Sequence, residues 1–561
     1  MNFYLPEDHF LSRLGKHFKK EGKIEKEENG KLEKLSEKEK LKEGYLIESA
    51  TVVELGEDEV FIDISEAECN LSDGSSLKII DFSSGFERKA SVISSEGKIL
   101  CIEPYQWWPK TGSELKLVKH FTAFDFMISR REDDYYRLLR TKFNVERVSK
   151  KLNRNSKPIG YSIQKVEKMG NLDPSQIDAF NNCIGAESVT LVQGPPGTGK
   201  TTFAAQLAKH LLDHGFEIMV TAFTHDAINN ILERNYKLGV PVSKIGKKSK
   251  CSEPLRPYRK DSFSSNSQSK SVVGMTIHEL LKNHKKFDFI LVDEASQMDI
   301  VSGIHFLASS TKTIFIGDHM QLPNISKIPN TKFSVSIFDL LLKTYQTSML
   351  LTTYRFNQSI CDYISPNFYE GKLICGESVK DNFLVVDRSS DQNGSYLDEI
   401  LSPEAMFFLH TEEEVDFLLN KEQANITADL IDKLVSAGVA KNEIGVIAPN
   451  NMQVNYIKKV LSARKLDWKG IQIETVNKFQ GQEKDVIIFS SVVTMLDSDK
   501  ARYDFFLDIR RFNVAVSRAR KKIIVMGNRN LFEASSTLFD GAEKVGDYLA
   551  KAKTINAILT S

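Results

Sequence analysis

"TLVQGPPGTGKTTFAAQLAKHLL" (190–212) predicts a strand, a glycine-rich turn and a helix in direct succession. The turn fits the pattern G-x-x-x-x-G-K-[ST], in which backbone N–H groups at a helix N-terminus point at phosphate oxygens. We expect Lys200 to reach the β- and γ-phosphates of a nucleotide and the Thr201 hydroxyl to bind Mg²⁺. Motors, switches, transporters and kinases all use such loops, so the loop alone leaves the use of the nucleotide open. The predicted nucleotide-binding residues of the loop are Gly194, Pro195, Pro196, Gly197, Thr198, Gly199, Lys200, Thr201 and Thr202.

Two acidic residues end the apolar strand predicted in FDFILVDEASQ (287–297). Asp293 is predicted to hold Mg²⁺ through water, and Glu294 to position and deprotonate the attacking water. An isolated Asp-Glu pair usually marks a solvated strand end. A pair that ends a buried strand downstream of a phosphate-binding loop favours hydrolysis over binding alone. The chain has no Asn-Lys-x-Asp sequence of the kind that selects guanine, so the predicted cofactors are ATP and Mg²⁺.

The composition sets limits on partners and location. Of 561 residues, 41% are hydrophobic, and 75 basic side chains balance 75 acidic ones, so any surface that binds nucleic acid must be local. Six scattered cysteines indicate reduced thiols and a cytoplasmic protein, with a nuclear location left open. No apolar stretch approaches the length of a membrane span, so no membrane partner is predicted.

The sequence pattern changes several times along the chain. Alternating Lys and Glu predict a helical arm over 1–44, and short β-branched runs predict a small β-barrel over 45–118. Helices that return from the barrel are predicted over 119–170. Beyond them, apolar strands alternate with helices in two blocks, 171–345 and 346–561, which predicts two parallel-sheet α/β domains.

Three shorter segments carry predictions of their own. FLVVD (383–387) is predicted to be a strand of the second block because it is a short apolar run. The Ser-rich segment 250–270 is predicted to be a mobile loop with some basic character. YQWWPK (105–110) contains two of the three tryptophans, and the sequence leaves open whether they stack on bases or pack at the rim of the barrel.

The segment LVDEASQ (291–297), followed by IFIGDHMQLP (314–323), resembles the motors of superfamily 1 helicases. The likeness is to the 5′-to-3′ branch that includes the nonsense-mediated-decay RNA helicases and the helicase half of the replication helicase–nucleases. Ordered motifs carry the resemblance from about residue 172 to residue 528. It implies two RecA-like motor domains, here called motor 1 (171–345) and motor 2 (346–561), and an N-terminal small β-barrel on a helical stalk.

The resemblance also implies which residues bind the base and the ribose. Gln176 of LDPSQIDAF would read the adenine edge, and Tyr354 of TTYRFN would stack on the adenine ring. Glu483 of KFQGQEKDV would bind the ribose. ATP would therefore lie between the two motors.

Four further residues would meet the γ-phosphate. The resemblance implies that Asp318 and Gln321 sense this group and link its loss to domain movement. Arg355 and Arg518 would reach it from motor 2, where arginine neutralises charge on the transferring phosphoryl group. A lone arginine usually forms a surface ion pair, but two in matching motifs favour the catalytic role.

The resemblance also implies a track for a single strand across the tops of both motors. Hydroxyl and amide groups there can hold phosphates without reading sequence. For each threonine alone, packing within a strand would be the ordinary role. The predicted nucleic-acid contacts are Thr224, His225, Thr276, Asn450 and Thr475.

Several positions depart from the family pattern, but none of them is a magnesium ligand, the base or an arginine of the site. ATPase activity is therefore still expected. The departures around residues 451 and 493 bear on how strongly strand binding is coupled to hydrolysis. The departing residues are Thr353, Phe356, Asn450, Asn451, Asn477 and Val493.

Three functions are compared at this stage. The favoured one is an ATP-dependent translocase or helicase on single-stranded nucleic acid, 5′-to-3′ by resemblance, with DNA or RNA left open. The second is a non-unwinding ATPase switch that clamps nucleic acid and signals to a protein partner through the barrel. The third, a binding module without catalysis, conflicts with the complete set of metal and base residues. A monomeric motor is expected, while the oligomeric state and the pathway stay open.

Overall fold

The computed structural model describes residues 5–56, 59–64, 69–71, 75–96, 99–105, 107–159, 163–262, 270–324, 326–328, 331–386, 396–411, 419–492, 508–534 and 543–556. Val493, Gln106 and part of the Ser-rich segment, residues 263–269, lie outside the described residues. The described helices are α1 Phe10–Glu33, α2 Glu37–Lys42, α3 Asp125–Leu139, α4 Lys142–Leu152, α5 Pro174–Ile184, α6 Lys200–Asp213, α7 His225–Lys237, α8 Ile277–Asn283, α9 Ile300–Ser309, α10 Ile337–Leu342, α11 Gln358–Phe368, α12 Tyr396–Ile400, α13 Lys421–Ser436, α14 Asn451–Ala463, α15 Ile509–Val516, α16 Arg529–Ala534 and α17 Glu543–Lys551. The described strands are β1 Leu46–Leu55, β2 Val60–Asp63, β3 Ser76–Asp81, β4 Glu87–Glu96, β5 Ile99–Pro104, β6 Glu114–Lys119, β7 Val189–Gln193, β8 Ile218–Thr221, β9 Val242–Ile245, β10 Arg259–Lys260, β11 Val272–Gly274, β12 Phe287–Val292, β13 Ser310–Gly317, β14 Thr347–Met349, β15 Thr352–Thr353, β16 Ile374–Cys375, β17 Met406–His410, β18 Ile444–Ala448, β19 Gln472–Thr475, β20 Lys484–Ser490, β21 Ala519–Gly527 and β22 Lys553–Asn556.

Strands β1 to β6 form a closed antiparallel barrel in the order β1-β2-β5-β4-β3-β6. Alternate residues of these strands point inward, as Leu77 and Ile79 do on β3 and Leu115 and Leu117 on β6, and all four are fully buried. Closure leaves no unpaired strand edge, which suits a barrel at the end of a stalk. The predicted fold class, α/β with a small N-terminal barrel, is confirmed.

Helices α1, α3 and α4 form the stalk and fasten it to motor 1. Tyr135 of α3 is fully buried against α1, and its hydroxyl donates to the carbonyl of Leu11 at 2.6 Å. Lys151 of α4 is 3% exposed, and its Nζ donates to the carbonyls of Leu307 (3.0 Å) and Ser310 (2.8 Å) in motor 1. A buried lysine that donates to several carbonyls is a specific anchor, because each of those bonds replaces one lost with water.

Motor 1 is built on an eight-stranded parallel sheet in the order β10-β9-β11-β8-β12-β13-β7-β14. Its inner strands are mostly apolar because helices cover both faces of the sheet. Strand β14 pairs with β7, so the sheet of motor 1 continues a few residues past the predicted boundary at residue 345.

The start of the Ser-rich segment differs from the prediction of a mobile loop. Residues Glu253–Tyr258 form a short 3₁₀ helix, and β10 pairs with β9 at the edge of the sheet. Two prolines fix the backbone of this helix and Leu255 is fully buried, so the first half of the segment has its own packing.

Motor 2 carries a six-stranded parallel sheet in the order β19-β18-β20-β21-β17-β22, with apolar clusters on both faces. The predicted strand FLVVD is wrong over its described part, 383–386, which is not part of any strand. Both sides of β17 are already occupied, by β21 and by the C-terminal strand β22. Leu384 packs into the core without backbone pairing. No helix in the described ranges is long and apolar enough to cross a membrane.

Candidate active site

The phosphate-binding loop connects β7 to α6 as its sequence predicts. Gly197 (φ 75°) and Gly199 (φ 76°) adopt the left-handed conformation that glycine permits. A Cβ on Gly197 would lie 2.5 Å from the Cβ of Arg355 and 2.5 Å from the Oγ1 of Thr353, so motor 2 packs directly on the loop. The Thr353 hydroxyl donates to the carbonyl of Pro196 at 2.9 Å, which gives this departure from the family pattern a structural role.

Lys200 begins α6 and folds back over the loop. Its Nζ donates to the carbonyl of Gly194 at 2.6 Å, and a Cβ on Gly194 would come within 2.2 Å of the Lys200 Cγ. Thr201, Asp293 and Glu294 line one cavity of about 810 Å³ beside this lysine. The structure therefore brings together the predicted phosphate residue Lys200, the predicted metal residues Thr201 and Asp293, and the predicted base Glu294.

The acidic pair follows β12 at the same edge of the sheet as the loop. Asp293 is 4% exposed, and burial, followed by the charge of Glu294, raises its pKa to about 7 while Lys200 lowers it. Its Oδ1 accepts from the backbone N–H of Glu294 at 2.9 Å. A carboxylate and a hydroxyl are hard oxygen donors that suit Mg²⁺, which usually completes its shell with water and substrate phosphates. The described residues contain no cluster of three or more His, Cys, Asp or Glu.

Glu294 has a left-handed backbone with φ 50°, which is strained for a residue that has a Cβ. Its Oε2 accepts from Nε2 of Gln297 in motor 1 at 3.4 Å and from Nε2 of Gln480 in motor 2 at 3.3 Å. The predicted base thus touches both motors.

The predicted adenine residues meet at the start of α5. Gln176 is 4% exposed; its Nε2 donates to the carbonyl of Thr198 at 2.9 Å and its Oε1 accepts from the N–H of Asp173 at 3.0 Å. The Tyr354 hydroxyl donates to the Oδ2 of the same Asp173 at 3.0 Å, and Tyr354 is 44% exposed. The exposed ring of Tyr354 and the buried amide of Gln176 therefore lie beside the phosphate-binding loop.

Arg355 and Glu483 form an ion pair on the motor 2 side. The Arg355 Nε donates to the Oε2 of Glu483 at 2.7 Å, and its Nη1 donates to the carbonyl of Ser517 at 3.1 Å. Glu483 is the predicted ribose residue, so the structure brings it next to one of the two arginines.

Arg518 is buried and reaches across to motor 1. Its Nη2 donates to the Oε1 of Gln321 at 3.0 Å, and its Nε donates to the carbonyl of Val514 at 3.0 Å. Gln321 in turn donates its Nε2 to the Oδ2 of Asp318 at 2.7 Å. Burial, followed by the charge of Arg355, lowers the pKa of Arg518 to about 9.

Sequence reasoning missed two residues of this group. The Tyr369 hydroxyl donates to the Oδ2 of Asp318 at 2.7 Å, and Nδ2 of Asn513 donates to the carbonyl of Met320 at 2.7 Å. Tyr369 lies in NFYEGKL (367–373) and Asn513 in RRFNVAV (510–516), and neither sequence pattern reveals the partner of the side chain.

The predicted nucleic-acid residues follow the carboxyl ends of β8, β11, β18 and β19. Thr224 caps α7 by accepting from the N–H of Ala227 at 3.2 Å, and Asn450 caps α14 by accepting from the N–H of Gln453 at 2.9 Å. Thr276 precedes α8 without a side-chain cap, and Thr475 ends β19. In each motor these residues lie along one edge of the sheet, the edge at which open α/β sheets bind ligands.

His225 differs from the other predicted contacts in its environment. Burial, followed by the charges of Lys244 and Lys250, lowers the pKa of His225 to about 4. The imidazole is therefore neutral at pH 7. A strand contact through a positively charged His225 is not supported by this environment.

Comparison with known proteins gives two family matches. Two models described as AAA domain match residues 171–372 and 333–530. The two matched ranges overlap and together extend from just before α5 to α16, the part of the chain that carries the candidate site.

The curated relatives that match are much longer than the matched region. The chain is 28% identical over 397 residues to the "DNA replication ATP-dependent helicase/nuclease DNA2" of Xenopus laevis, covering 64% of this chain and 37% of the relative. It is 27% identical over 440 residues to the protein of that name in Saccharomyces cerevisiae, covering 72% of this chain and 28% of the relative. The chain thus spans about a third of the length of these relatives.

Among solved structures, one match is the arterivirus nonstructural protein 10 (helicase). It covers 85% of this chain and 76% of its own, with 13% sequence identity and a TM-score of 0.41.

Proposed function

We propose, starting from the place of this chain among the superfamily 1 helicases, that it is an ATP-driven motor that moves along single-stranded nucleic acid. The observation that carries the proposal is the bond between Arg518 of motor 2 and Gln321 of motor 1, within the cluster around Asp318. A buried arginine that reaches from one domain to the phosphate-sensing residues of another is the arrangement by which hydrolysis drives domain movement.

The residues of motor 1 suit binding and hydrolysis of ATP. Lys200 and the loop amides would hold the phosphates, and Thr201 with Asp293 would hold Mg²⁺, which neutralises phosphate charge when bound. Glu294 would orient the attacking water and accept its proton, helped by a backbone that fixes the side chain at the cavity. Gln176, Tyr354 and Glu483 would hold the nucleoside.

The residues of motor 2 suit a role in closing the site. Arg355 and Arg518 are both bonded to protein groups, Glu483 and Gln321. Exchange of these partners for γ-phosphate oxygens would draw the motors together, and loss of the phosphate would release them. Arg518 stays protonated near pH 7 because its lowered pKa is still about 9.

The strand would bind across Thr224, Thr276 and Thr475 in the 5′-to-3′ direction of the branch that the motifs resemble. The names of the curated relatives, DNA replication helicase/nucleases, favour DNA over RNA as the substrate. A DNA motor suits either the cytoplasm or the nucleus, and we keep the cytoplasm as the proposed location.

A second candidate, the non-unwinding ATPase clamp, is favoured by one observation. The family that the motifs resemble usually has Tyr and Arg at positions 450 and 451. Here Asn450 uses its side chain to cap α14, and Asn451 is the first residue of that helix, so neither position offers an aromatic or a basic side chain. Weaker coupling between strand binding in motor 2 and hydrolysis would favour a clamp that does not step along the strand.

Two measurements separate these functions. ATP hydrolysis is first compared with single-stranded DNA and single-stranded RNA of equal length, and we expect stimulation, greater with DNA. Strand displacement is then measured on duplexes with a 5′ or a 3′ tail. Unwinding from the 5′ tail supports the helicase, whereas normal stimulation without unwinding of either duplex supports the clamp. Absence of hydrolysis with both nucleic acids would contradict both.

A further inference from the structure

A second connection between the motors lies beside the Gln321–Arg518 bond. Tyr369 follows α11 of motor 2, is 3% exposed, and donates its hydroxyl to the Asp318 Oδ2 of motor 1 at 2.7 Å. Asn513 of α15 donates its Nδ2 to the Tyr369 oxygen at 3.0 Å and to the carbonyl of Met320 in motor 1 at 2.7 Å. Two side chains of motor 2 are therefore bonded to the segment of motor 1 that holds Asp318.

We propose that Tyr369, held by Asn513, is a positioning residue that keeps Asp318 joined to motor 2 while Gln321 and Arg518 exchange partners. The inference rests on the proposed function, because the exchange takes place only if ATP is bound and hydrolysed between the motors. It adds residues to that function which neither the motifs nor the comparisons assign.

The hydrogen bonds indicate different roles for Gln321 and Tyr369. Gln321 donates to Asp318 and accepts from Arg518, so its turn toward a γ-phosphate breaks its bond to Arg518. The Tyr369–Asp318 bond involves neither Gln321 nor Arg518, so it survives the turn of Gln321. Tyr369 thus keeps the same partner while the contacts of Gln321 and Arg518 change.

The donors around Asp318 explain why a hydroxyl is needed. Its Oδ2 accepts from Gln321 and Tyr369 at 2.7 Å each, whereas the donors to Oδ1 are more distant, Met320 N–H at 3.2 Å and Gln193 Nε2 at 3.4 Å. A carboxylate that is 1% exposed needs close donors. When Gln321 turns away, Tyr369 is the close donor that remains. Burial and the charge of Asp318 raise the pKa of Tyr369, so the hydroxyl keeps its proton.

The experiment compares two tyrosines joined by one helix. Tyr369→Phe removes the inter-motor bond and keeps the ring, while Tyr363→Phe removes a part-buried bond within motor 2, from the Tyr363 hydroxyl to the Lys544 carbonyl at 2.7 Å. We expect Tyr369→Phe to lower strand-stimulated kcat by about tenfold with KM for ATP changed less than about twofold, as loss of one charge-assisted bond allows. Tyr363→Phe should leave both values near those of the unchanged chain.

A double-mutant cycle distinguishes positioning from general stability. In the Gln321→Ala background, Tyr369→Phe should lower kcat by less than about twofold further, because the two residues act on one carboxylate. Thermal unfolding checks that each variant folds, and Asn513→Ser, which weakens the same connection, takes the place of Tyr369→Phe if that variant does not fold.

The outcomes separate this inference from the proposed function. If the unchanged chain hydrolyses ATP and both phenylalanine variants have equal kinetics, the role of Tyr369 is overturned while the motor stands. Full additivity of Tyr369→Phe and Gln321→Ala would also overturn it. If the unchanged chain hydrolyses no ATP with DNA or RNA, the proposed function fails, and the role of Tyr369 with it.

Discussion

Motor 1 and motor 2 contribute to one site in different ways. In motor 1 the phosphate-binding loop and the acidic pair follow parallel strands directly, and Lys200 is bonded to its own loop. In motor 2 the arginines stand on separate segments; Arg355 bonds to Glu483, and Arg518 bonds to Gln321 of the other motor. We propose that the residues of motor 1 hold the nucleotide and that the arginines of motor 2 change partners when it binds.

This difference implies different kinetic effects on the two sides. A substitution among the phosphate and metal residues of motor 1 should remove the chemistry outright. A substitution among the arginines of motor 2 should lower turnover with little loss of ATP affinity, because we propose that those side chains meet the γ-phosphate most strongly in the transition state.

The largest effect is expected from Lys200→Ala in motor 1. We expect ATP hydrolysis to fall at least about a thousandfold, because the charge on the β- and γ-phosphates is no longer neutralised. Strand binding, measured by fluorescence anisotropy, should survive. The matched control is Lys209→Ala on the exposed side of the same helix, where Lys209 pairs with Asp213 at 2.7 Å. Normal turnover in Lys200→Ala would contradict the site assignment.

The next effect is expected from Arg518→Ala in motor 2. We expect kcat to fall on the order of a thousandfold, as loss of an arginine at a γ-phosphate does, with ATP affinity changed only a few-fold. Arg529→Ala, which breaks an exposed ion pair with Glu533, is the control for loss of an arginine from this motor. Equal losses in kcat and in affinity would erase the distinction between the two motors.

A smaller effect is expected from Gln480→Ala, which removes the contact of motor 2 with the proposed base. The bond from Gln480 Nε2 to Glu294 is 3.3 Å long, so strand-stimulated kcat should fall by about fivefold, as loss of one hydrogen bond allows. Hydrolysis without a strand should change little. Gln482→Ala, which truncates an exposed glutamine two residues away, is the control. An equal loss with and without the strand would argue against a link between the motors here.

The smallest effect concerns stability and tests the anchor on motor 1. Burial lowers the pKa of Lys151 to about 7, against about 10.4 in the unfolded chain. Between these pH values the unfolded state binds more protons, so the free energy of unfolding should rise with pH by up to about 1.4 kcal/mol per unit.

Lys151→Met should reduce the rise of the free energy of unfolding with pH, measured by urea unfolding at pH 7.5 and 9.5. The control is Lys150→Met, at an exposed position, which should leave this rise unchanged. A slope that is the same in Lys151→Met and the unchanged chain would show that the anchor does not titrate in this range.

The sequence was most informative where the site is local. The loop and the acidic pair can be predicted because the residues proposed to bind phosphate or metal are contiguous and follow apolar strands that the pattern reveals. The arginines were found only through resemblance to a family, since nothing near Arg518 in the sequence indicates that it meets Gln321.

The failures concern contacts made at long range. Tyr369 and Asn513 were missed because their partners depend on how the two motors pack. The strand predicted at 383–387 was wrong because a strand near the C-terminal end pairs with β17 first. Local pattern predicts which segments can pair, but it does not predict which of them reaches a sheet edge.

The anchored stalk provides a reference point from which movement of motor 2 can be measured. The barrel is attached through the stalk helices, and two contacts hold these helices on motor 1. One is made by Lys151, and the other is the bond from the Lys327 N–H to Glu21. The barrel should therefore travel with that motor, and a pair of dyes on the barrel and on motor 2 would report each opening and closing as a change in fluorescence energy transfer. Five of the six native thiols are buried, so cysteines introduced at exposed positions would take the dyes selectively.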